Sequence, residues 1–243
     1  MITEQQQQNE RKNGFYIKRG GTEKECFKTL KRFIEDKVRS GKIKRICDVG
    51  CATGDLIAYL KRSFSNCNID YCGIDVSDKL LEVAYQRLPD VEFIKFDISQ
   101  DIKECAIVNS ADVVTFFGVL TYFEDFSKVL YNLMSMVSPG GQIFVFGPFN
   151  QYGYKVKYQY THYNGDSYVT DTEYTHSMEE ISKWLQERGM SYNWTAFQMP
   201  FDIQPLEEKY PIRVWTERLE CGKRIQRDRI DRIEEQFFLN ICC

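Results

Sequence analysis

The stretch that decides the fold is Ile46-Cys47-Asp48-Val49-Gly50-Cys51-Ala52-Thr53-Gly54-Asp55. An apolar run ends in a Gly-x-x-x-Gly turn, and an amphipathic segment from Asp55 to Ser63 follows. That is the pattern of strand, tight turn and helix. Gly50 permits positive φ and close backbone approach to a ligand, and Thr53 or Asp55 is expected to cap the helix. The spacing is not Gly-x-Gly-x-x-Gly, because Ala52 replaces the central glycine, and no Lys-Ser/Thr pair marks a phosphate loop. A carboxylate directly before the turn repels a pyrophosphate and suits a ligand with a cationic group.

Outward from this turn, strands are expected at residues 44–49, 69–75, 91–96, 111–117 and 142–146. Helices are expected at 22–39, 55–63, 78–88 and 123–137. This alternation calls for right-handed crossovers and a parallel sheet covered on both faces, a doubly wound α/β fold. In such sheets ligands bind beyond the carboxyl ends of the strands. Asp48, Asp75 and Asp97 end three successive strands at that edge. A lone aspartate there is an ordinary turn former. Three behind one glycine turn mark a binding edge, with Asp75 placed to accept from ribose hydroxyls.

The alternation stops at Pro148. Residues 152–172 alternate polar and aromatic side chains, as an extended half-buried hairpin does, and seven of the 15 tyrosines lie between Tyr152 and Tyr174. Both histidines, His162 and His176, fall in the same stretch. Ser177-Met178-Glu179-Glu180 has capping-box form and opens a helix to about Arg188, with Gly189 at its end. Strands are further expected at 192–199, 212–216 and 236–241, and the mixed-charge run Arg218–Glu235 reads as a solvated helix or loop. Residues 1–13 read as a polar, Gln-rich tail, and 14–243 as a single domain whose lid spans about 148–176.

Composition agrees with a globular enzyme-sized chain: 243 residues, 43% apolar, 28% charged, formal net charge −3. No apolar run is long enough for a membrane span and no secretory leader is visible, so a cytoplasmic location is expected. Nine cysteines, without a C-x-x-C, read as free thiols in a reducing compartment, and no metal is expected.

These residues resemble the class I S-adenosylmethionine-dependent methyltransferase family over roughly residues 40–150. Asp48–Gly54 look like its first motif, Asp75 its ribose-binding acid and Asp97 its adenine-binding acid. Residues 112–122 look like the fourth-strand motif, and Ser138-Pro139-Gly140-Gly141 like the turn before strand five. Ala52 is a departure from the usual glycine. The resemblance implies S-adenosyl-L-methionine as cofactor and a Rossmann-like seven-stranded sheet, mostly parallel with one antiparallel strand, for which 236–241 is the candidate. It implies cofactor contacts from Asp48, Gly50, Cys51, Ala52, Gly54, Asp75, Val76, Asp97 and Ile98. Phe116, Phe117 and Gly118 would line the sulfonium side, and Tyr16 would fold over the cofactor.

Methyl transfer from a sulfonium needs alignment above all, and a general base only for a high-pKa hydroxyl. His176, kept neutral by the start of its helix, and His162 are the candidate bases, with Tyr122 facing the same cavity. Tyr152, Tyr154, Tyr160, Arg213 and Trp215 are candidate acceptor contacts. The reading is methyl transfer to a small molecule, at oxygen before nitrogen, a carbohydrate, sugar phosphate or secondary metabolite. Residues 11–45 carry 13 Lys/Arg against four Asp/Glu, which fits solvated helix faces or steering of an anionic acceptor. An RNA or protein methyltransferase and a non-catalytic cofactor-binding protein are the alternatives. A membrane partner is not expected, nucleic acid is disfavoured, and monomer and dimer both stay open.

Overall fold

The computed structural model describes residues 14, 16–18, 21–105, 107–163, 168–205, 214–228 and 232–243. The expected tail at 1–13 and Arg213 lie outside the described residues, as does the side chain of His162. Along the chain come α1 (Glu25–Arg39), β1 (Arg45–Val49), α2 (Asp55–Ser63), β2 (Asp70–Asp75), α3 (Asp78–Arg87) and β3 (Glu92–Lys95). They are followed by β4 (Ala111–Phe117), a single turn at Leu120–Tyr122, α4 (Phe126–Met136), β5 (Val137–Asn150), β6 (Val156–Tyr163) and β7 (Tyr168–Ser177). The last elements are α5 (Met178–Gln186), β8 (Ser191–Phe197), β9 (Trp215–Arg218), β10 (Arg224–Arg227), β11 (Ile233–Glu234) and β12 (Gln236–Cys242).

The main sheet has the order β3-β2-β1-β4-β5-β12-β8, with β6 and β7 attached beside β5. Strands β1 to β5 pair in parallel, and β12 runs antiparallel between β5 and β8. The expected antiparallel strand is therefore present, between the two positions the chain visits before it. Side chains alternate between two cores, as strands buried on both faces require. Val114, Phe116, Ile143, Val145, Leu239 and Ile241 pack under α4 and α5. Ile46, Val113, Phe144, Phe146 and Phe238 pack with α1 and α2. Each fully buried Leu or Phe here contributes about 1.5–3 kcal/mol.

Two expectations about local structure are corrected. Neither Thr53 nor Asp55 caps α2: Gly54 is the N-cap residue, with φ +77°. Asp55 is used elsewhere, accepting from the Gly21 amide and from Arg87. The run 218–235 is not a solvated helix or loop, since β10 and β11 lie within it and join β9 in a second, antiparallel sheet. The capping box at α5 forms as expected, with the Glu180 amide donating to Ser177 Oγ at 3.1 Å. The hairpin is fastened to the main sheet where Phe149 and Asn150 pair in parallel with His176 and Ser177. All nine cysteines are free. Among the described residues no helix is long and apolar enough to cross a membrane.

Gly50 has φ +73°, and a Cβ there would overlap Val119 Cγ2. Gly140 has φ +83° with nothing within 4 Å of the added atom. Gly50→Ala combines backbone strain with overpacking and is expected to lower the unfolding free energy by about 2–4 kcal/mol. Gly140→Ala carries the backbone strain alone, about 1–2 kcal/mol. Urea unfolding of the two variants measures the difference.

Candidate active site

The parallel register sets Asp48 of β1 beside Thr115 of β4. Thr115 Oγ1 donates to Asp48 Oδ1 at 2.6 Å. Asp48 is only 4% exposed, and among the described residues no ion pair compensates it. Burial is the leading cause that pushes its carboxyl up to about 7, with Asp75 adding to the rise and Thr115 and Lys24 opposing it. A buried carboxylate in this condition is a receptor for a cation. Lys24, just before α1, lies within electrostatic reach of Asp48, a neighbour that sequence spacing gave no sign of.

The glycine turn is tied to the next strand. The Gly50 and Cys51 amides both donate to the Ile74 carbonyl, at 2.7 and 3.0 Å. The Ala52 amide donates to Asp75 Oδ2 at 2.9 Å, with Ala52 itself at φ +48°, and the Ser77 amide donates to Asp75 Oδ1. The loop therefore tolerates alanine at 52 in a left-handed conformation. Burial raises the Asp75 carboxyl, which sits at the binding edge beside Val76, an apolar side chain 57% exposed. Asp97 accepts twice from Ser99, leaving one oxygen uncommitted by those bonds. The following residue, Ile98, is buried, and its carbonyl accepts from Asn132 of α4 at 2.7 Å. Gly118 follows β4 with φ +72° and open space where a side chain would project. Phe117 is half-buried in an aromatic row with Phe27, Phe146 and Phe238. Phe116, expected beside it, is instead fully buried on the opposite core against Phe123.

Tyr16 is a neighbour of Tyr122 and Asp75. The Tyr16 and Tyr122 hydroxyls share a hydrogen bond, and Asp75 and Glu173 are both within electrostatic reach of Tyr16. Tyr122 in turn has Glu173 and Tyr160 as neighbours. The Tyr160 hydroxyl donates to Glu173 at 2.9 Å. Burial raises Tyr16, Tyr122 and Tyr160 alike, so all three remain neutral phenols at physiological pH. Arg232 holds the other side of Glu173 and also pairs with Glu234 and Asp228. These four charged side chains are 13% exposed or less. Farther along the same edge, a cleft of about 120 Å³ is lined by Gln151, Phe197, Arg224, Glu234 and Phe237.

The acceptor-side expectations fare less well. His176 is 1% exposed, its ring enclosed by Phe126, Tyr174 and the Leu120 carbonyl. Successive residues of a strand face opposite sides. Glu173 therefore turns to Tyr160 and Arg232, while Tyr174 and His176 turn under the hairpin towards Glu124 and Phe126. The ring is kept neutral, as expected, but burial rather than the helix is the leading cause. His162 is opposite Val169 in the hairpin register. Tyr152 and Tyr154 are each 73% exposed on the turn before β6 and form no wall. Trp215 is half-buried in β9 opposite Arg227. Glu173 and Arg232, which sequence reasoning missed, stand where the histidines were expected.

A doubly wound sheet with a buried aspartate behind a glycine turn, an acid at the end of β2 and a further acid beyond β3 is the arrangement expected of a class I methyltransferase edge. Comparison with known proteins agrees: the model of the "Methyltransferase domain" family matches residues 47–143, and this segment belongs to the class I S-adenosylmethionine-dependent methyltransferases. The malonyl-[acyl-carrier protein] O-methyltransferase of Halalkalibacterium halodurans is 30% identical over 126 residues, covering 49% of this chain and 46% of that one. A trans-aconitate 2-methyltransferase of Escherichia coli is 30% identical over 108 residues, covering 44% of this chain and 40% of that one. The chain thus matches less than half the length of these curated relatives. The solved structure described as the "DhpI-SAM-HEP complex" shares the fold over 99% of this chain and 96% of its own, with TM-score 0.56 and 16% identity.

The raised Asp48 carboxyl has a stability consequence. Its folded value of about 7 lies above its unfolded value of 3.8, so the folded state holds the extra proton between them. Stability contributed by this group therefore falls as pH rises from about 4 to about 7. Asp48→Asn, which keeps an acceptor for Thr115, is expected to be more stable than the parent at pH 8 and to lose that margin by pH 4. Thermal unfolding of both proteins across that range measures it.

Proposed function

We propose that this chain transfers a methyl group from S-adenosyl-L-methionine to a small-molecule acceptor held between the β6–β7 hairpin and the carboxyl edge of the sheet. The observation that supports this most is Asp48: a buried carboxyl group with no ion-pair partner among the described residues, beside an open glycine turn and one strand from Asp75. S-adenosyl-L-methionine, when bound, supplies a sulfonium-activated methyl group and needs no base to activate it. The α-ammonium group of its methionine part matches Asp48, the ribose diol matches Asp75, and the adenine amino group matches the remaining oxygen of Asp97. Exposed Val76 offers an apolar surface to the purine, with the Ile98 backbone on its far side. Gly50, Cys51, Ala52 and Gly54 let the backbone approach, and Gly118 leaves room at the reacting end.

On the acceptor side, Tyr16 and Tyr122 close the edge as a hydrogen-bonded pair of neutral phenols, and Tyr160 is oriented by Glu173. Their work is alignment and exclusion of water, which contribute most of the acceleration in an in-line displacement. With His176 enclosed beneath the hairpin, preference for an oxygen acceptor loses the base on which it rested. The RNA alternative also weakens, because basic side chains of α1 are engaged locally: Lys28 with Glu25, and Lys31 and Arg39 with Glu35.

Calorimetry with S-adenosyl-L-methionine tests the reading. Binding is expected, and Asp75→Ala should weaken it at least about tenfold, the loss of roughly 1.4 kcal/mol or more. Affinity should peak between about pH 7 and 8. Below that range Asp48 takes up a proton, and above it the ligand's ammonium group loses one. No binding by the parent protein at pH 7.5 overturns the proposal.

A further inference from the structure

We propose that Glu173 sets the acceptor class and that the acceptor is an amine, bound through its nitrogen between Glu173 and the phenols of Tyr16, Tyr122 and Tyr160. This rests on the methyltransferase reading above and goes beyond it by naming the substrate's charge. Glu173 lies on the hairpin face turned towards the cofactor edge, fixed by Tyr160 on one oxygen and by Arg232 on the other. It is close enough to both Tyr16 and Tyr122 to act electrostatically on their hydroxyls, and Asp75 also acts on Tyr16. Two carboxylates thus act on the phenol group.

Among the described residues, the cations of the hairpin anchor and the adjoining cleft are engaged. Arg232 faces Glu173, Glu234 and Asp228 together. In the adjoining cleft Lys223 pairs with Glu235, and Arg224 with Asp202 and the Met199 carbonyl. Among the described residues the field at this edge is therefore negative. It repels a carboxylate or phosphate acceptor and draws in an ammonium group. Glu234, which lines the cleft and also touches Arg232, extends the same polarity away from the reacting end. The expectation of an anionic acceptor rests on the basic count of residues 11–45, of which Lys28, Lys31 and Arg39 on α1 are paired with neighbouring carboxylates.

An amine also fits the missing base. An ammonium ion first gives one proton to water, and the neutral nitrogen then forms the N–C bond with its lone pair. The C–S bond breaks with its electron pair going to sulfur. The positive charge passes from sulfur to the product nitrogen, where Glu173 stabilises it, and a proton then leaves to solvent. Nothing in this sequence asks a side chain to deprotonate a hydroxyl of high pKa.

The test uses the full chain saturated with S-adenosylhomocysteine and two probes of one shape and opposite charge, 2-phenylethylamine and 3-phenylpropionate, each titrated by ligand-observed NMR at pH 7. The amine is expected to bind about tenfold more tightly or better. Glu173→Gln should abolish that preference while S-adenosylhomocysteine still binds. Equal binding of the probes, preference for the carboxylate, or no binding of either at millimolar concentration overturns the inference. So does a preference that survives in Glu173→Gln. Failure of S-adenosylhomocysteine itself to bind would instead overturn the methyltransferase reading.

Discussion

The hydrogen bond from Thr115 to Asp48 is the point on which this molecule turns. It joins the two central strands at the edge where a ligand must arrive, and it offers a buried carboxylate one donor where a charge asks for more. The remainder of the demand is met by holding the proton, so the free protein keeps a group poised to change charge near neutrality. Everything around it preserves this state. The glycine turn is fixed against Ile74 and Asp75, and Asn132 ties the loop after Asp97 to the helix behind it. The register of β1 against β4 keeps donor and acceptor level. The edge is rigid before any ligand reaches it, which is what alignment-driven chemistry asks of a scaffold.

The opposite wall is built by another rule. There the charged groups are numerous and mutually engaged, and Arg232 is their hub. Breaking one partner of a buried ion pair strands the others, so the hub fixes geometry more than it adds stability. Through Glu173 it fixes Tyr160, and through the strand it fixes the face that the hairpin presents. The tyrosines that crowd this stretch of sequence consequently divide into two populations. Tyr158 and Tyr160 look inward from β6, whereas Tyr152, Tyr154, Tyr163 and Tyr168 are exposed around the hairpin.

The sheet and its cofactor edge were legible because their signals are local. Strands buried on both faces read as apolar runs, broken at a single polar residue by Asp48 in Ile46–Val49 and by Thr115 in Val113–Phe117. The helices between them keep apolar residues at helical spacing, as Leu30, Ile34 and Val38 do on α1. The turn, Asp75 and Asp97 each follow a strand directly. The acceptor wall was not legible, because its deciding contact joins residues 59 apart in sequence. The run containing Arg232 alternates charges as a solvated surface does, and only tertiary pairing buries it. The histidine expectation failed on parity. On β7 both faces carry aromatic or polar residues, so nothing in the alternation said that Glu173 and not His176 shares a face with Tyr160.

One further consequence follows from how the two walls are connected along the chain. The hairpin enters between β5 and α5, while its anchor enters much later, between β8 and β12. The two insertions are separate in the gene yet share one guanidinium. A hairpin grafted from a related protein would arrive without the matching anchor, leaving Arg232 facing a void or a clash. A change in one insertion therefore calls for compensation in the other.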